Sequence, residues 1–150
     1  MRSLAILIAS LSLATTLTAA EPFAGTWKLN PGRSTGSIPK DETVVIRQEG
    51  ATLAVEISIV LPDNRALTIR YSTPAKGGTG KITEGPYNGV LLTRLGKNSM
   101  ETTYLTDGKK VRSTRAVIGK DGTTMTSTGK VLDGTEQAAW TMVFQKQPAR

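Results

Sequence analysis

The chain has no cysteine and no histidine among its 150 residues. Without cysteine there is no disulfide staple, so a packed core must hold the fold together. Without either residue, Ser-His-Asp and Cys-His nucleophiles are excluded. Cys/His zinc and copper sites go with them, and no metal or cofactor is expected. An enzyme would have to work with carboxylates, Lys, Tyr or Ser alone, and the chain is read as a non-enzyme. Aromatics are scarce, with two Trp, two Phe and three Tyr. They are not interleaved with basic residues as base stacking requires. The net charge is +7, yet no basic run exceeds Lys109-Lys110. Solvated strand faces account for it, and no nucleic-acid partner is expected. No segment carries helical apolar periodicity. No apolar run reaches the ~20 residues of a membrane span, so no stable membrane insertion is expected.

What is present begins with a leader. Arg2 is a positive start, Leu4 to Leu17 is an apolar stretch with Ser and Thr mixed in, and Thr18 and Ala20 are small residues placed for cleavage before Glu21. Residues 1–20 therefore read as a secretory signal peptide, and 21–150 as one domain, periplasmic or secreted. The mature chain is long enough for one core.

The mature chain opens on Phe23 to Asn30, and the rest is organised around that stretch. Phe23, Gly25, Trp27 and Leu29 recur at every second position, the period of a strand. An early Trp in a first strand can plug one end of a β-barrel, and Gly25 beside it lets another backbone come close. Asn30 to Asp41 holds Pro31, Gly32, Gly36 and Pro39 and reads as a loop. Strands then follow one another: Glu42–Gln48, Ala51–Leu61, Arg65–Ser72, a short one near Lys81–Glu84, Asn88–Leu95, Ser99–Thr106, Lys109–Ile118, Thr123–Leu132 and Thr135–Gln147. The turns between them include Glu49-Gly50, Asp107-Gly108, Lys120-Asp121-Gly122 and Asp133-Gly134. Pro74 to Gly80 is glycine-rich and reads as a loose loop. The expected fold is all-β, an antiparallel up-and-down barrel of about eight to ten strands.

Two turns set registers. A two-residue loop at 49–50 pairs Gln48 with Ala51, Ile46 with Leu53 and Val44 with Val55, with the apolar residues on one face. A two-residue loop at 107–108 pairs Tyr104 with Val111, Thr102 with Ser113 and Met100 with Arg115. Tyr104, Val111 and Val117 mark that face as inward, which draws Arg115 into the barrel near Thr102, Ser113, Thr126 and Thr128. An inward Arg ringed by hydroxyls suits a wet cavity or an anionic ligand head. The alternative swaps the faces, placing Arg115 in solvent and Arg112 inside.

Three spellings of catalytic motifs carry little. Gly77-Gly78-Thr79-Gly80-Lys81 is half a phosphate loop, with Ala75 and Ile82 at the wrong ends and no helix to follow. Ser37-Ile38-Pro39-Lys40 has the Ser-x-x-Lys spacing but no helix to align the pair. Most acids sit in turns, where Asp bonds its own backbone. Glu56 and Glu101 fall on the outward faces of their strands, so no convergent carboxylate pair emerges.

The opening Phe-Ala-Gly-Thr-Trp-Lys-Leu at Phe23–Leu29 resembles that of fatty-acid-binding proteins, and its Gly-x-Trp is shared with lipocalins. The turn Asp107-Gly108-Lys109, leading to Arg115, resembles a late turn of the same family. The last strand, Met142-Val143-Phe144-Gln145-Lys146, stands where the family reads Arg-x-Tyr-Glu-Lys. The resemblance implies an exported calycin-type barrel. It also implies that Arg115, alone of the family's Arg, Arg and Tyr clamp, meets a ligand head, since Met142 and Phe144 replace the other two. The two-helix lid of the family has no room in the twelve residues from Asn30 to Asp41. The expected function is a binding protein for a small apolar or amphipathic molecule. Arg115, Tyr104, Met142, Phe144, Trp140 and Thr126 would line the site, with Trp27 and Gly25 as the plug. The alternative is a protein-interaction module with a filled core, such as an inhibitor of an extracellular enzyme. A barrel interior of several hundred cubic ångströms would favour the first.

Overall fold

The alternation seen in the sequence becomes a single antiparallel sheet that curls on itself. The computed structural model describes residues 20–132 and 138–149. The predicted leader 1–20, apart from Ala20, and the predicted turn at Asp133-Gly134 lie outside the described residues. Twelve strands are seen: β1 Gly25–Leu29, β2 Thr35–Gly36, β3 Asp41–Glu49, β4 Thr52–Val60, β5 Ala66–Pro74, β6 Gly78–Thr79, β7 Lys81–Glu84, β8 Gly89–Gly96, β9 Ser99–Thr106, β10 Lys109–Ile118, β11 Thr124–Val131 and β12 Ala139–Lys146. Around the barrel they run β6-β8-β9-β10-β11-β12-β1-β3-β4-β5-β7, with β2 added beside β12. The first long strand thus pairs with the last, and consecutive hairpins supply the rest. Among the described residues the one helical element is the 3-10 turn Pro31–Arg33, so no helical lid covers the barrel.

The strand count exceeds the expected eight to ten because of short pieces in supposed loops. β2 arises inside the 30–41 loop, where Gly36 pairs with Trp140. β6 arises in the 74–80 stretch predicted to be loose. That stretch is the seam of the barrel. β6 lies on β8 and β7 on β5, so the chain crosses between the two sheet edges at Gly80. Gly80 donates its N–H to the Val90 carbonyl at 2.9 Å. A Cβ there would run into the Ser72 carbonyl, so only glycine lets the edges approach.

Side chains pointing inward form one core. Val44, Ile46, Leu53, Val55, Ile57, Ile59, Ile69 and Tyr71 fill one wall, and Met100, Tyr104, Met125, Met142 and Phe144 the other. Trp27, expected to plug one end, lies in the buried core. It is fully buried beside fully buried Phe23, and its Nε1 donates to the Phe23 carbonyl at 2.9 Å. The close neighbour of Gly25 is a side chain, Lys146, rather than a backbone, and Gly25 sits at φ +137°. Glu21 reaches over the same end and pairs with Arg94 at 3.1 Å.

Two registers differ from those expected. In the first hairpin the turn is at 50–51, so Gln48 pairs with Leu53, Ile46 with Val55 and Val44 with Ile57. The slip is two residues along the partner strand, an even number, so the same side chains still face inward. The second difference changes a face. β10 starts in the expected register, Lys110 opposite Leu105, but a bulge between Lys110 and Arg112 then sets Arg112 opposite Tyr104, Thr114 opposite Thr102 and Arg115 opposite Glu101. One extra residue turns every later side chain to the other face.

Candidate functional site

That bulge decides what lies inside the barrel. Arg115 is outside, exposed, and ion-paired with Glu101 at 3.3 Å. Ser113, Val117, Thr126 and Thr128 share its outward side: Thr126 pairs with exposed Val117, and Thr128 with Arg115. The expected Arg115–Thr126 site is therefore replaced by the swapped arrangement, with Arg112 inward. Thr102 remains inside, as expected.

The interior holds two spaces that share part of their lining. The inner chamber, about 60 Å³, has Tyr71, Tyr104, Thr102, Thr114 and Ser127 among apolar walls that include Phe144. The outer one, about 220 Å³, opens at the end opposite Trp27, between Ile38, Pro39, Leu61, Leu67, Val131 and Trp140. Glu42, Arg112 and Met142 line both, at the neck between them. Four of the predicted ligand residues thus face the interior: Tyr104 and Phe144 in the chamber, Trp140 in the mouth and Met142 at the neck. The inner chamber alone is smaller than the several hundred cubic ångströms expected of a container. Most of the room is at the mouth.

The neck is polar where barrel cores are usually apolar. Arg112 stacks its guanidinium 4.3 Å from the centre of the Trp140 ring. That ring lies across Gly129, where any Cβ would strike it. The Arg112 Nε and Trp140 Nε1 are both buried with no hydrogen-bond partner among the described residues. Glu42, at the start of β3, is only 6% exposed and has no ion-pair partner within 4 Å among the described residues. Burial raises its pKa from 4.5 to about 7, against the downward pull of Arg112 and with a small upward push from Asp41. Burial likewise raises the Tyr71 and Tyr104 hydroxyls. Their rings meet edge-to-face with centroids 5.8 Å apart. A buried acid and a guanidinium lining one neck are groups that a polar ligand group would pair with.

The likeness to known proteins rests on this architecture. The zebrafish ileal bile acid-binding protein, solved in complex with cholic acid, superposes with a TM-score of 0.51. The match covers 84% of this chain and 99% of that one, at 14% sequence identity. The two chains share an antiparallel β-barrel fold. At that identity the likeness is one of fold. No protein-family model matches the chain, and no curated protein does.

Within this barrel, Glu42 was the residue sequence reasoning missed. Its signal was present: Glu42, Val44 and Ile46 are in phase, so a strand that buries Val44 and Ile46 buries Glu42 as well. The motif spellings resolve plainly. Ser37 and Lys40 lie at bends in the irregular chain between β2 and β3, where the Lys40 ammonium bonds Asn64. Glu56 points outward to Arg70, which also holds Glu84. Because Arg115 is a half-exposed surface partner, Arg115→Met is expected to change stability by about 1 kcal/mol or less. It is also expected to leave ligand binding unaltered. Urea unfolding and a probe titration check both, and a loss of binding would return Arg115 to the interior.

Proposed function

We propose that the chain is an exported binding protein that holds a small apolar or amphipathic molecule in its calycin barrel. The observation that carries the reading is the open mouth. Its apolar walls lead to a neck lined by Glu42 and Arg112, neither of which has an ion-pair partner within 4 Å among the described residues. A ligand tail would pack on Ile38, Leu61 and Leu67, and its polar end would reach the neck. Sites of this kind are mostly apolar with a few placed polar groups. The cholic acid complex of the zebrafish protein supports the reading, since cholic acid too is amphipathic. Export rests on Arg2, the apolar stretch Leu4–Leu17 and the small residues Thr18 and Ala20.

The test is a titration with N-phenylnaphthylamine, an uncharged apolar fluorophore. A saturable rise in emission with one probe per chain is expected, lost in Leu67→Arg at the rim. No saturable rise would favour the competing reading, a filled barrel acting through its loops, which draws on the small inner chamber. For export, mass spectrometry of the chain from its native host is expected to find an N-terminus at or near Glu21 outside the cytoplasm. Intact chain starting at Met1 in the cytoplasm would sink that part.

A further inference from the structure

The neck carries two opposite charges facing one small space, and this decides which head group it can take. We propose that Glu42 and Arg112 form a head-group site for an uncharged amphiphile bearing a hydroxyl or amide, and that Glu42 excludes carboxylates. The inference rests on the binding-protein reading and names the ligand class for that same site.

Glu42 reaches the neck from β3 and Arg112 from β10, and both line the two spaces. The groups facing Glu42 are Arg112, Tyr71 from β5 and Tyr104 from β9, with Asp41 beside it on its own strand. β4 brings the apolar side chains of Ile57 and Ile59 to the two spaces, and β12 brings Met142, Phe144 and the Trp140 ring. A ligand cation entering the neck would meet Arg112, and a ligand anion would meet Glu42. A hydroxyl or a primary amide carries both a donor and an acceptor. It can donate to the Glu42 carboxylate while accepting from the Arg112 guanidinium, since both residues line the same space. This pairs both charged groups of the neck at once, which is where discrimination in a polar pocket comes from. A barrel with an inward Arg and no facing acid would prefer the carboxylate. Here the like charge of Glu42 opposes that preference at short range, in a space with little water to screen it. The exclusion lasts only while Glu42 is ionised. Its raised pKa, near 7, puts the change in a range where a short-chain carboxylic acid stays mostly ionised, so ligand and protein titrate separately.

The experiment displaces N-phenylnaphthylamine with octanol, octanamide and octanoate, at about pH 8 and about pH 5.5. It uses the mature wild-type chain and Glu42→Gln, a variant of the same shape. In wild type, octanol and octanamide are expected to displace the probe equally at both pH values. Octanoate is expected to be roughly tenfold weaker or more at the higher pH, and to approach octanol at the lower. Glu42→Gln should bind octanoate at the higher pH as wild type does at the lower. The wild-type pH series needs no variant, so it decides the matter even if the substitution fails to fold. Octanoate matching or exceeding octanol at the higher pH would overturn the head-group assignment and leave the binding-protein reading intact. Failure of the probe to bind at all would overturn both.

Discussion

Trp27→Ala is expected to lower stability by about 3–5 kcal/mol, against a total of about 5–15 for a domain of this size. Trp27 is fully buried, and the strand that carries it is paired on both sides, with β12 and with β3. The wall therefore cannot collapse into the space left, so a cavity remains at the sealed end. Two further contacts go with the ring. Its Nε1 anchors the Phe23 carbonyl at 2.9 Å, and the Lys146 ammonium lies 5.4 Å above its face. Phe23, itself at zero exposure, then loses the neighbour that holds it over the barrel end. The melting temperature should fall by roughly ten degrees or more. A melting temperature within about a degree or two of wild type would mean that Trp27 does not plug the barrel.

Glu42→Gln is expected to stabilise the protein at neutral pH and above, and to flatten its pH dependence. The native Glu42 keeps its proton up to about 7, while the unfolded side chain gives it up near 4.5. Between those values the native state binds more protons than the unfolded state, so stability falls as pH rises and levels off above about 7. The loss amounts to about 3 kcal/mol at most. Glutamine has no proton to lose, so its curve should lack this descent and lie above wild type by a similar amount at pH 8. Glu56, Asp63 and Asp121 are shifted the other way by their hydrogen bonds. Their contribution is present above the ordinary carboxylate range and lost as pH falls, in both proteins alike. Chemical denaturation across the acid-to-neutral range measures the difference. Parallel curves for the two proteins would show that Glu42 is solvated and ordinary in the folded state.

The candidate site was half legible beforehand. Tyr104, Trp140, Met142 and Phe144 face the interior because they alternate with polar residues on strands whose phase was read correctly. Arg115 and Thr126 were misplaced for separate local reasons. For Arg115 the turn at 107–108 was correct, and so was the pairing of Lys110 with Leu105. The bulge before Arg112 then reversed the face. Nothing in Lys110-Val111-Arg112 announces a bulge, since no glycine or proline marks it. Thr126 was assigned by association with that face, whereas Met125 and Ser127 on either side are the residues that point in. Glu42 stands in phase with Val44 and Ile46 on a buried face, where an unpaired carboxylate is rare.

What the sequence by itself determined is the barrel and the buried face of its opening strand. Period-2 alternation, closely spaced turns and the Phe23–Leu29 opening are local features, and local features specify strands, hairpins and which side chains share a face. Tertiary structure decided the rest. Whether β10 carries Arg112 or Arg115 inward depends on one extra residue accommodated against β9, a matter of pairing between strands rather than of either strand alone. Whether the glycine-rich stretch is loose or structured depends on the two sheet edges meeting at Gly80, which sequence neighbours cannot reveal. The neck exists only because closure brings β3 and β10, some seventy residues apart in sequence, across the same narrow space, where Glu42 and Arg112 feel each other's charge. Electrostatics of that kind acts through the distance and dielectric that the closed fold creates, and those appear only once the barrel has formed.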